Sequence, residues 1–193
     1  MKNGYPARKE SIILTAIEII SDLGIQGLST KELAKRQDIT ESLLYRHFKS
    51  KDEILVAVLM HFSQFDRIIM NTVLKSNSGC KAKIMQFISL YVEYYENYPD
   101  ITAILYSYHQ FLKELKTGEL MKEIILRRNK FLLEIIQDGR QKGELNDYFS
   151  EEELADIILG LTKTLTFKWR MKNYSFSLKQ SNLSTLEKIL AIC

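Results

Sequence analysis

Cysteine, proline and glycine are scarce in this chain, and each scarcity narrows what it can be. Its 193 residues include two cysteines, two prolines and eight glycines. Cys80 and Cys193 lie too far apart to suggest a disulfide framework or a metal pair, so reduced thiols and a cytoplasmic setting are expected. With so few helix breakers, helix is favoured throughout. No stretch approaches the roughly 20 apolar residues a membrane span needs, and the run Ile12–Ile20 is interrupted by Thr15 and Glu18. Met1–Ala7 is short and polar, unlike a secretory leader. There is no Gly-x-Ser-x-Gly elbow, no phosphate loop and no Cys or His pair at metal-ligand spacing. The sequence therefore offers no catalytic residues, no metal ligands and no cofactor, and no enzyme activity is expected. Neither strand-period segments nor internal repeats stand out.

What is present is apolar residues at helical spacing, in a chain long enough for one large or two small domains with a real core. The net charge of +3 is unevenly placed. Residues 1–51 carry nine Lys and Arg (Lys2, Arg8, Lys9, Lys31, Lys35, Arg36, Arg46, Lys49, Lys51) against six acids, and the remainder carries eighteen of each. The whole excess thus lies in the first quarter, where a phosphate-contacting surface would be, although a solvated basic face would give the same count.

Within that quarter two short helices are marked by their caps. Ser29 and Glu32 form a capping box with Leu28 and Leu33 as its staple, predicting a helix to about Arg36. Gln37-Asp38-Ile39 is the turn. Thr40 is the next N-cap, with Glu41 where a helix start favours negative charge and with Ile39 and Leu44 as staple. On this second helix Leu44 and Phe48 share a buried face, Ser42, Tyr45, Arg46 and Lys49 point away, and Leu43 lies on the flank. Two short helices joined in this way, the second with a polar outward face, form a helix-turn-helix able to enter a DNA major groove. A first helix from Arg8 to Leu23, capped by Gly24, supports them through Ile13, Ala16, Ile17 and Ile20.

Further on, Ser50–Glu53 is a capping box that opens an apolar-periodic stretch to about Lys75, a rod of about 38 Å if continuous. Helices follow at 81–98, 100–116, 119–142, 150–171 and 177–191, for about nine in all. The expected fold is all-α. Residues 1–50 would form a three-helix DNA-binding domain and 51–76 a linking helix, with 77–193 a helical effector-binding and dimerisation domain.

The run Leu33-Ala34, Ile39-Thr40 and Leu44-Tyr45-Arg46-His47-Phe48-Lys49-Ser50-Lys51-Asp52-Glu53-Ile54-Leu55 resembles the signature of the tetracycline-repressor (TetR) family of transcriptional regulators. Its Tyr-x-His-Phe-x-Ser-Lys core is the most diagnostic part. Two positions depart from the pattern. Asp38 stands where glycine is usual, and Asp tolerates the left-handed backbone. Leu43 stands where a small or hydroxylated residue is common, which bears on base reading. The resemblance implies that Tyr45, His47 and Lys51 contact phosphates and that Thr40, Glu41, Ser42 and Leu43 face base edges. With Thr30, Lys31, Arg46 and Lys49 these make up the candidate DNA-contacting set.

The resemblance also implies a small, largely apolar effector. The aromatic residues Phe62, Phe65, Tyr91, Tyr94, Tyr95, Tyr106, Phe131 and Trp169, with His109, are candidates to line its pocket. An aromatic stripe at helical spacing is more often plain core. Helix 150–171 carries more apolar surface than one stripe, which predicts a homodimer through Leu154, Ile157, Ile158, Leu161 and Leu165 together with Leu183, Leu186 and Leu190. The expected function is a ligand-responsive repressor that binds a near-palindromic duplex operator, away from membranes, with the rod from Ser50 to Lys75 as its lever. An all-helical interaction adaptor, or a helical enzyme without a DNA role, is the alternative; the first fifty residues argue against the adaptor, and the lack of a catalytic constellation against the enzyme.

Overall fold

Hydroxyl side chains start five of the helices. Ser29 Oγ, Thr40 Oγ1, Ser50 Oγ, Ser150 Oγ and Ser177 Oγ each accept a hydrogen bond from the backbone N–H three residues on, at 3.1 to 3.2 Å. Only Ser150 forms the complete reciprocal box, because Glu153 returns to the Ser150 N–H. Glu53 reaches the Lys49 N–H instead, and Glu32 turns to Arg36.

The structure, a computed structural model, describes residues 5–113 and 115–193, with side chains from residue 8 onward. Lys2, counted in the charge excess, and most of the polar start Met1–Ala7 lie outside what is described, in whole or in side chain. Among the described residues the α-helices are α1 (Tyr5–Gly27), α2 (Thr30–Arg36), α3 (Glu41–Tyr45), α4 (Lys51–Phe62), α5 (Asp66–Leu74), α6 (Cys80–Asn97), α7 (Ala103–Tyr106), α8 (Tyr108–Phe111), α9 (Leu115–Gln141), α10 (Glu151–Met171) and α11 (Leu178–Ala191). The all-α fold is as expected. α1 is broken within by Gly24, whose φ of 70° only glycine adopts freely.

The count exceeds nine because two expected helices are divided. The rod from 51 to 75 is not continuous: α4 ends at Phe62, the Ser63 hydroxyl bonds back to the Leu59 carbonyl, and α5 starts at Asp66. The helix expected over 100–116 becomes a 3-10 turn, Pro99–Thr102, followed by α7 and α8 on either side of Ser107. In addition α9 starts at Leu115 rather than 119.

The chain divides into two compact units, one of Met1–Gln64 with Asp100–Ile124 and the other of Phe65–Pro99 with Ile125–Cys193. Relative to the expected division at residues 76 and 77, the first unit's N-terminal segment ends earlier, at Gln64, and the unit also takes in 100–124. In it α1 packs on α2, α4 and α7, burying Ile12, Ile17, Leu28, Leu33, Leu44, Phe48, Val58 and Phe62. At about 25 cal/mol per Å², each such side chain contributes roughly 1.5–3 kcal/mol.

In the second unit α6 packs on α5 and α11, and α10 packs on α11. Lys179 Nζ pairs with Glu93 at 2.6 Å, and the Ser177 hydroxyl and Lys179 N–H both donate to Glu96. These bonds join the end of α6 to the start of α11, so the two run antiparallel. At the other end of α6, Gly139 of α9 leaves room for Cys80, whose sulfur a Cβ at residue 139 would overlap. Burial first, and then the carboxylates of Glu144 and Asp138, push the Cys80 thiol up to about 11. Both cysteines are free and buried. A polar cluster crosses this unit's core. Asp66 at the start of α5 accepts from Arg127, from Arg128 and from the Tyr91 hydroxyl, and Arg128 also donates to the Tyr95 hydroxyl while its guanidinium lies 4.7 Å from the Tyr91 ring centre.

Candidate nucleic-acid interface

The turn between α2 and α3 closes as a double hydrogen bond. The Asp38 N–H donates to Lys35 O at 3.2 Å and the Ile39 N–H to Ala34 O at 3.0 Å, the pattern that normally ends on glycine. Asp38 takes that place with φ of 50°, as its tolerance of the left-handed region predicts. Gln37 ties the turn to α1, donating to Thr15 Oγ1 at 2.6 Å and accepting from the Ser11 hydroxyl at 3.0 Å. The entry into α3 is thereby fixed by backbone and side chain together.

On α3, Leu44 and the following Phe48 are buried, whereas Thr40, Glu41, Ser42, Tyr45, Arg46 and Lys49 are exposed, Tyr45 by 51%. Leu43 is half-buried on the flank. On α2, Lys31 is exposed, and half-buried Thr30 donates to Glu41 Oε2 at 2.6 Å, linking the two helices across their polar side. The Lys51 ammonium donates to the Ile25 carbonyl at 3.3 Å, which holds the start of α4 against the end of α1.

His47 differs from expectation. Only 9% of it is exposed, so its imidazole is mostly covered rather than displayed like Tyr45. Burial, and then the positive charges of Arg8, Arg46 and Lys9, hold it below its ordinary range. Those neighbours reveal a contribution that the helix-turn-helix spacing did not: Arg8 and Lys9, at the start of α1, share this face. Lys9 Nζ lies 4.9 Å over the Phe48 ring. Their only sign in the sequence was the charge count.

The aromatic candidates are divided between the two units. Phe62, Tyr106 and His109 belong to the first unit; Phe65, Tyr91, Tyr94, Tyr95, Phe131 and Trp169 belong to the second. Phe62 is fully buried core, and His109 is exposed beside Tyr108. Phe87, Tyr91, Tyr95 and Phe131 pack on one another, while Phe65 meets Tyr94 edge-on at 5.0 Å and Trp169 meets Tyr174 at 4.7 Å. A cavity of about 550 Å³ in the first unit, lined by Ser50, Asp52, Glu53, Val56, Leu115, Lys116 and Thr117, holds none of the nine.

Of the residues expected at a dimer interface, Leu154, Ile158, Leu186 and Leu190 are buried within their own chain, so they are core. Ile157, Leu161, Leu165 and Leu183 are half-buried. The outward apolar surface of α10 is instead Phe167, 50% exposed, and Met171, 69% exposed.

A short capped helix displaying hydroxyl, phenol and guanidinium groups, held by a second short helix on a three-helix scaffold, defines a helix-turn-helix DNA-binding domain. Residues 12–58 match the family of bacterial regulatory proteins, tetR family. That match covers the helix-turn-helix part of the chain, about a quarter of its length. The chain is 41% identical over 51 residues to the tetracycline repressor protein class C of Escherichia coli, covering 26% of this chain and 23% of that one. It is 23% identical over 181 residues to the fatty acid metabolism regulator protein of Bacillus subtilis, covering 93% and 92%. The fold is that of the transcriptional regulator FadR from Bacillus subtilis in complex with stearoyl-CoA, with a TM-score of 0.79 at 20% identity over 95% of this chain and 98% of that one. Among the described residues no helix is long and apolar enough to cross a membrane.

Proposed function

We propose that the protein is a cytoplasmic, ligand-responsive repressor that binds a near-palindromic duplex operator as a homodimer. The observation that carries this reading is α3 itself, where a Thr40 cap and the buried Leu44 and Phe48 hold Ser42, Tyr45 and Arg46 outward. Tyr45, Arg46, Lys49 and Lys51, with Arg8 and Lys9, would take phosphates; Thr40 to Leu43 would meet base edges. Phe167 and Met171 of α10, flanked by Ile157, Leu161 and Leu165, are the surface offered to a second copy. A two-fold dimer then presents two α3 helices to half-sites about 34 Å apart.

The effector proposed is small and largely apolar, and the regulator in complex with stearoyl-CoA supports that class. Differential packing of one such ligand supplies a coupling of about 1–3 kcal/mol, a factor of roughly 5–150 in DNA affinity. The test is a gel shift with the duplex upstream of the protein's own gene, with and without long-chain acyl-CoA. Sequence-specific retardation is expected, and its absence at low salt would refute the DNA role. Equal DNA affinity with and without the acyl-CoA would refute that effector class and leave the DNA role standing.

A further inference from the structure

The exposed acid at the front of α3 is out of keeping with its surroundings. Arg8, Lys9, Lys31, Arg46, Lys49 and Lys51, the other charged residues of the proposed DNA-contacting set, are all cationic. Glu41 is fixed by the Thr30 hydroxyl, which donates to its Oε2 at 2.6 Å from the neighbouring helix. A carboxylate next to a phosphate backbone weakens binding unless it meets a donor. It has about four acceptor sites, and Thr30 occupies one.

In the major groove only two bases present a donor, cytosine through N4 and adenine through N6. The adenine amino group lies between two acceptors, its own N7 and the O4 of the paired thymine, and both repel a carboxylate. The cytosine amino group has an acceptor, guanine O6, on one side and its own C5–H on the other. A carboxylate is therefore better matched to cytosine. Resting on the reading of α3 as the groove-entering helix, we infer that Glu41, set in place by Thr30, selects a C·G pair by accepting a hydrogen bond from cytosine N4. Thr30 acts as a positioning residue and touches no base in this role.

The full-length protein, selected against a randomised duplex library, tests this through the relative affinity for each base at each position in wild type, E41Q, T30V and T30S. Wild type should favour cytosine at one position of each half-site by roughly 5- to 150-fold over other bases. E41Q should move that preference to adenine, since an amide pairs with N6 and N7 together. T30V should shrink the cytosine preference as a ratio, whatever happens to affinity overall, and T30S should restore it. A wild-type base profile retained in E41Q would overturn the inference. If E41Q binds nothing, an undiminished cytosine preference in T30V would overturn it equally. A wild-type protein that selects no sequence at all would defeat the DNA-binding reading, a result distinct from either.

Discussion

The guanidinium of Arg128 meets the carboxylate of Asp66 through two nitrogens, Nη2 at 2.8 Å and Nε at 3.0 Å, and both residues are buried. Asp66 opens α5 four residues after α4 ends, so the pair marks the place where the expected rod is divided. Removing one member leaves an unpaired buried charge. Asp66→Ala should cost about 3–5 kcal/mol in urea unfolding, and replacing both partners by apolar residues should cost less than either single change. Tyr91→Phe, which removes one donor to the same carboxylate, should cost about 1–3 kcal/mol. A neutral Asp66→Ala variant would show that the pair contributes nothing to stability.

Phosphate contacts should register in salt dependence. Each cation removed from a phosphate lowers the slope of log affinity against log salt by about 0.9. For a homodimer, Arg46→Ala or Lys49→Ala should thus lower it by about twice that amount, with base preferences retained. Tyr45→Ala should weaken binding to all sequences alike. An unchanged slope in both cation variants would remove Arg46 and Lys49 from the phosphate surface.

The second copy is tested on α10. Charges at Phe167 and Met171, neither of which is needed for the chain's own core, should leave each subunit folded and prevent pairing. Light scattering of Phe167→Glu with Met171→Glu should then give the 22.5 kDa single chain at micromolar concentration, with wild type at twice that mass. Wild type running as a single chain would end the dimer proposal.

Acid sensitivity is expected at His47. Its folded proton affinity lies below the ordinary histidine value, for burial first and then for Arg8, Arg46 and Lys9. The unfolded chain therefore binds a proton that the folded chain resists, so His47 favours the folded state above about pH 6.5 and that contribution is lost as pH falls through the lowered value. His47→Gln should flatten the decline of stability as pH falls below about 6.5. An identical decline in wild type and variant would assign it to other groups.

The caps were the most legible part of the chain. Ser29, Thr40 and Ser50 could each be picked out because a hydroxyl acts on the next turn of its own helix, and local chemistry shows in local sequence. The signature around Tyr45–Lys51 was legible through its resemblance to a known family. The break at Ser63–Phe65 was not. Phe62, Ile69 and Val73 keep one apolar rhythm across it, no proline or glycine announces it, and the partners of Asp66 lie 25, 61 and 62 residues away. The dimer surface was misjudged at Leu154, Ile158, Leu186 and Leu190 because periodicity cannot separate an apolar stripe that meets its own chain from one that meets another. For the aromatic set, spacing along a helix does not say which rings share a unit, and the nine are divided between the two.

The overlap that any side chain at Gly139 would create with Cys80 ties two distant positions into one evolutionary unit. A methyl group at 139 would collide with the Cβ of residue 80 as well as with its sulfur, so shortening Cys80 to alanine gives no relief. Short of glycine at 80, only a wider gap between α6 and α9 would, and interiors packed at crystal density do not open cheaply. Across descendants that keep this helix crossing, position 139 should hold glycine while position 80 drifts among small residues.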